Sequence, residues 1–157
     1  MTQRFSSKVD AWILVLCFGP LLALFVARLA GLPLGRPTGG VPVALLVVMT
    51  SLLALVATTS YVVTDDAITV WFGPIRRRRA LADITGLGAS RRAESSPAWS
   101  LDRVEIFTAR GFWLLVSPAD KAGFVRAVLE RAPHVQIDDA LTRLVASDLT
   151  PDARKRA

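Results

Sequence analysis

Two apolar runs, residues 11–30 and 41–59, constrain this chain more than any other feature. The first carries one charge, Arg28, near its end, and the second carries none. About 20 helical residues, rising 1.5 Å each, cover a hydrocarbon core of about 30 Å. Helices over about 10–31 and 41–60 are therefore expected to cross a membrane. The glycine- and proline-rich stretch between them has turn chemistry, which makes the two helices antiparallel neighbours. A signal peptide is the rival for the first run, because Arg4 and Lys8 supply a basic start. The run is long for that purpose, lacks a clear small-x-small cleavage site and is followed closely by a second span, which favours a retained helix. Gly19-Pro20 falls in its middle and invites a kink.

A chain of 157 residues has room for one modest domain beside two spans. The 52% hydrophobic content is high for a soluble protein and the two runs account for the excess; the net charge is +6. For a membrane protein, basic excess points to the cytoplasmic side and its anionic headgroups ahead of nucleic acid. Arg4 and Lys8 precede the first helix and Arg76 to Arg79 follow the second, whereas Arg36 alone is charged within the connecting loop. This bias places both termini in the cytoplasm and residues 31–40 outside. Cys17 is the only cysteine and His134 the only histidine, so neither a disulfide within the chain nor a multi-cysteine or multi-histidine metal site can form.

From Ser60 the hydropathy period becomes two. Tyr61–Thr64 and Ala67–Phe72 flank Asp65-Asp66 as a hairpin, and Gly73-Pro74 makes the next turn. Ile75–Leu81 and Ile84–Leu87 continue as strands, Gly88–Ser100 reads as a loop, and Asp102–Phe107 and Phe112–Ser117 form a further hairpin. Ser117, Pro118 and Asp120 then give a helix-start pattern with Ser117 as N-cap. Phe124, Val125, Val128 and Leu129 form the apolar face of that helix, and Pro133 ends it. Residues 138–149 are expected to form a short helix, and Pro151–Ala157 a disordered tail.

Three stretches carry a family resemblance: Tyr61-Val-Val-Thr-Asp-Asp-Ala-Ile-Thr-Val70 with Gly73-Pro74, Ser95-Ser-Pro-Ala-Trp-Ser-Leu-Asp-Arg-Val-Glu-Ile106, and Leu115-Val-Ser-Pro-Ala-Asp-Lys-Ala-Gly-Phe124. Over about residues 60–132 the chain resembles the bacterial PH-like domains found behind two-helix membrane anchors, of the YyaB-like type. The resemblance implies an α+β fold with a membrane anchor: two transmembrane helices, then a PH-like antiparallel β-barrel or sandwich capped by a C-terminal helix. The expected division is a helical hairpin at 1–60, the PH-like domain at 61–133 and a C-terminal extension at 134–157. The family brings no catalytic residues and no agreed ligand.

Arg76, Arg77, Arg78 and Arg79 are the candidate contact for anionic lipid, at ~1 kcal/mol per basic residue near the surface. The competing reading is a solvated edge strand that blocks strand pairing. A buried strand is excluded because burying lone guanidiniums is too costly. Trp99 is the candidate interface residue of the polar loop, folded back onto the domain or dipped into the membrane interface. Trp12 is expected as an interfacial anchor, and Trp71 and Trp113 as packing residues. Asp102, Arg103 and Glu105 alternate along a strand, and cross-strand pairing with Arg110 or a neighbouring arginine explains them better than acid–base chemistry. The sequence thus reads as a non-enzyme of the bacterial inner membrane, without cofactor or metal. The expected role is a cytoplasmic-face binding or scaffold module in contact with the lipid bilayer and with a protein partner or a second copy. The alternative is a sensor of anionic headgroups acting through the basic strand.

Overall fold

The computed structural model describes residues 2–32, 41–92 and 98–149. Most of the connecting loop expected between the helices, and the C-terminal tail, lie outside the described residues. After a short strand, β1 (Gln3–Ser6), come the two apolar helices, α1 (Ala11–Leu29) and α2 (Val41–Thr58). Helix α1 is continuous through Pro20 and buries none of its side chains. It is long and apolar enough to cross a membrane; Val43–Thr58 of α2 is apolar and shorter. The expected pair of spanning helices is thus represented by one helix of full spanning length and one shorter apolar helix beside it. Thr50 and Ser51 bond their own backbone, to the carbonyls of Leu46 and Val47 at 2.8 Å each, rather than the facing helix.

Strands β2 (Ser60–Val63), β3 (Ala67–Phe72) and β4 (Ile75–Ala80) follow without a linker. Together with β1 they form an antiparallel sheet in the order β1-β2-β3-β4. A second sheet has the order β7-β6-β5-β8, from β5 (Ile84–Ser90), β6 (Arg103–Thr108), β7 (Gly111–Val116) and β8 (Gln136–Ile137). Helices α3 (Lys121–Arg131) and α4 (Asp139–Leu149) complete the domain. Tyr61, Val63, Ile68 and Val70 of the first sheet meet Ile84, Leu87, Val104, Ile106 and Val116 of the second, and Phe124, Val125 and Val128 of α3 pack over them. Burying each such side chain contributes roughly 1.5–3 kcal/mol. The core is the reason a chain with period-two hydropathy closes on itself here rather than remaining an open sheet.

The structure departs from the sequence reading in four places. Residues 1–10, expected from their composition to be a short polar leader, contribute a strand: Gln3, Arg4, Phe5 and Ser6 pair with Val63, Val62, Tyr61 and Ser60. Phe5 packs edge-on to Phe124, with ring centroids 5.5 Å apart. Ser117 does not cap α3. The leader binds residues 117–119 outside the helix, through Lys8 N–H to the Ser117 carbonyl at 2.6 Å and Ala119 N–H to the Ser6 carbonyl at 2.9 Å. The helix therefore starts later, with Asp120 as N-cap accepting from the Gly123 N–H at 2.8 Å. Strand β5 runs on to Ser90, into the stretch read as loop. Finally, residues 134–149 are part of the domain rather than an appendage. Strand β8 pairs in parallel with β5, and Leu141 of α4 is buried in the common core. Asp138 joins the two, accepting from the N–H groups of Ala89 at 2.6 Å and Leu141 at 2.7 Å.

Candidate functional site

The domain grips the roots of both apolar helices. Thr59, the first residue after α2, accepts from the indole Nε1 of Trp99 at 3.0 Å and from the Ser7 N–H at 3.4 Å. Asp10, at the root of α1, donates its N–H to the Trp99 carbonyl at 2.9 Å and accepts from the Leu101 N–H at 3.1 Å. Beneath them the Tyr61 hydroxyl meets Ser7 Oγ at 3.1 Å and accepts from the buried Ser117 N–H at 3.1 Å. Trp99 is half-buried and stacks on Phe72, with centroids 5.9 Å apart and planes 23° from parallel. The structure places it at the junction between the helices and the domain.

The acidic and basic residues around β6 belong to this same junction. Asp102 receives Lys8 Nζ at 3.0 Å from the leader and Lys121 Nζ from α3. Burial alone would raise the Asp102 pKa. The hydrogen bonds and charges of Lys121 and Lys8 outweigh it and hold the carboxyl below its ordinary value. Arg103 is buried and donates from Nε to the Ser100 carbonyl at 2.7 Å and from Nη2 to the Ala98 carbonyl at 3.4 Å. It ties the loop down from inside. Glu105 pairs with Arg92 at 3.7 Å. The expected pairing with Arg110 is not what the structure uses for Asp102; its lysines come from segments distant in sequence. Since the folded-state pKa of Asp102 is depressed, its contribution is complete above the unfolded value and is lost as pH falls through the folded one. Asp102→Asn is expected to lower the melting temperature near neutrality and to flatten its fall between about pH 5 and pH 2. An acid limb parallel to wild type would contradict the assignment.

The four arginines form β4, an edge of the first sheet. Their register splits them. Arg77 and Arg79 lie opposite Val70 and Ile68, on the face whose neighbours enter the core. Arg79 reaches over the Trp113 ring at 5.5 Å and towards Asp83 at 3.9 Å. Arg76 and Arg78 lie opposite Trp71 and Thr69, on the outer face. Arg78 is paired with Asp66, and the Arg76 guanidinium lies over the Trp71 ring at 5.2 Å. Across the same outer face the leader adds a fifth basic residue, Arg4, whose Nη2 donates to Ser60 Oγ at 3.1 Å.

A cleft of about 370 Å³ opens between this outer face and the end of α2, lined by Arg4, Thr58, Val62, Trp71 and Gly73. Gly73 turns the β3–β4 hairpin with φ +58°, and it lies directly against the Leu55 side chain of α2. A residue with a Cβ would be both strained and obstructed there. Trp71 and Ile75 remain 37% and 53% exposed on the hairpin. Arg76 was recognisable from the charge run. Arg4, Thr58 and Trp71 carried no joint signal, because strand pairing alone brings these three segments together. Among the described residues, no group of three or more His, Cys, Asp or Glu side chains is placed to hold a metal ion.

In comparisons with known proteins, residues 59–132 match the family model described as a bacterial PH domain. No curated protein and no solved structure gives a significant match.

Proposed function

We propose, on the premise that residues 59–132 belong to the bacterial PH domain family, that this chain is a membrane-anchored binding or scaffold module. Domains of this kind are typically binding modules without catalysis. Both apolar helices cross the membrane, the domain sits on the cytoplasmic face, and its surface is offered to a protein partner. The observation that carries this reading is the double grip on the helix roots. Leader strand β1 enters the sheet immediately before α1, and β2 continues it immediately after α2. A domain held at both roots keeps one height and one orientation against the leaflet, which suits presentation of a surface. It also supports retention of the first helix, because cleavage behind it would remove a strand from the sheet. The basic residues of β1 and β4 lie on the domain side, as the positive-inside bias requires.

Impermeant thiol labelling on intact cells tests the topology. In a Cys17→Ser background, Thr38→Cys is expected to label and Thr150→Cys to remain unlabelled until the cells are opened. Labelling of Thr150→Cys alone would invert the protein and remove the cytoplasmic reading. Crosslinking in native membranes tests the partner: a discrete protein adduct supports it, and adducts with lipid alone favour a second reading. In that second reading the chain senses anionic headgroups through its basic strand. The exposure of Arg76, Arg77 and Arg78 on an edge strand close to the end of α2 favours it.

A further inference from the structure

The outer face of the first sheet carries two cross-strand rows, Arg4–Val62–Thr69–Arg78 and Ser6–Ser60–Trp71–Arg76. They bring the Arg76 guanidinium over the Trp71 ring and place Arg4 with Trp71 in the lining of the cleft at the end of α2. Arg78 is matched by Asp66, but among the described residues Arg4 and Arg76 meet no carboxylate. Arg4 bonds a neutral serine, and Arg76 lies against an aromatic face, which leaves donor groups of both open to an anion.

The height of this arrangement is fixed by α2. The turn of the β3–β4 hairpin rests on Leu55, one helical turn before α2 ends at Thr58. With α2 in a bilayer, its last turn reaches the headgroup layer. The exposed Ile75 at the hairpin turn then lies near the acyl boundary. Trp71 lies at the depth where indole rings concentrate, and the two arginines lie at the level of the phosphates.

We propose that the cleft formed by Arg4, Thr58, Val62, Trp71 and Gly73, with Arg76 at its rim, binds the phosphate headgroup of an anionic phospholipid. The inference rests on the membrane-anchored reading and sharpens its lipid-sensing variant. It selects Arg76 from the basic strand, adds Arg4 from the leader, and leaves out Arg77 and Arg79, which lie on the other face. Arginine suits the task because its planar fork can engage two phosphate oxygens at once. Strand β1 thereby both completes the sheet and supplies one side of the site.

The test uses the full-length protein in detergent, with retained lipid counted by native mass spectrometry against phosphatidylglycerol and phosphatidylcholine. Wild type is expected to retain one phosphatidylglycerol in preference to phosphatidylcholine. Arg4→Gln and Arg76→Gln should each weaken that retention about five-fold, and the Arg77→Gln/Arg79→Gln pair should leave it within two-fold. Equal retention by wild type and the Arg4→Gln/Arg76→Gln pair overturns the site. Loss confined to the Arg77/Arg79 pair also overturns it, and leaves lipid sensing by the basic strand standing. Extraction of the chain from membranes by carbonate, without detergent, would instead remove the anchored reading itself. Where an arginine variant melts early, a second measurement decides. Trp71 fluorescence, taken as the difference between wild type and Trp71→Phe in nanodiscs, should be quenched by lipid brominated near the headgroup. An unquenched Trp71 places the cleft away from the leaflet and overturns the site.

Discussion

Replacing Phe124 by alanine is expected to abolish the cooperative melt of the domain in the full-length protein. Phe124 is completely buried, and its ring lies edge-on to Phe5 at 5.5 Å and to Tyr61 at 6.4 Å. It therefore joins α3 to both the leader strand and β2. Truncating a buried phenylalanine costs ~3–5 kcal/mol through lost transfer energy and the cavity left behind. The net stability of a domain is about 5–15 kcal/mol, so one change removes a large share of it. Near-ultraviolet circular dichroism during heating reads the effect on the domain's tertiary packing. Arg126→Gln, on the exposed side of the same helix and paired with Asp148, serves as the control, with an expected effect near ~0.5 kcal/mol. An unchanged melting temperature for Phe124→Ala would mean that α3 does not close the core.

Removing residues 2–7 is expected to have a comparable effect, although the segment is short and polar apart from Phe5. The deletion exposes the edge of β2, takes Phe5 off Phe124 and frees the Tyr61 hydroxyl from Ser7. Phe5 is partly buried, so its loss contributes less than the roughly 1.5–3 kcal/mol of a fully buried ring. Ala119 also loses its backbone partner, the Ser6 carbonyl, while the Lys8 N–H to the Ser117 carbonyl stays. Arg4 is removed but Lys8 is retained, so α1 keeps one basic residue before it. The expected outcome is a lowered melting temperature, faster proteolysis within the domain, and an opened edge prone to self-association. Wild-type melting and protease resistance would show that β1 adds nothing to the fold.

The Arg76–Arg79 run shows how far charge patterning reaches. Four adjacent guanidiniums cannot enter a core, so desolvation cost left an edge strand or a loop, and β4 is the edge strand. The partners of those arginines were not deducible. Trp71 is opposite Arg76 through a tight hairpin and could be paired by counting, but Trp113 beneath Arg79 belongs to the other sheet. For Asp102 the sequence suggested a cross-strand arginine, and the structure supplies lysines from the leader and from α3.

By itself the sequence determined what depends on local period and composition. The apolar runs, the hairpin at Asp65-Asp66, most strands, and the apolar face of α3 all follow from side chains a few residues apart. Tertiary structure decided what depends on closure. The four residues of β1 have no periodicity to read, and they become a strand only because β2, more than fifty residues later, presents an open edge beside Phe124. The same pairing displaced the start of α3 from Ser117 to Asp120. Strand β8 is two residues long and exists only against β5. The cleft proposed as the lipid site, at the end of α2, is a further such case. Its arginines, tryptophan and helix end come from three segments whose meeting is a property of the folded sheet, since a strand's backbone donors and acceptors are satisfied by whichever partner the finished core brings alongside.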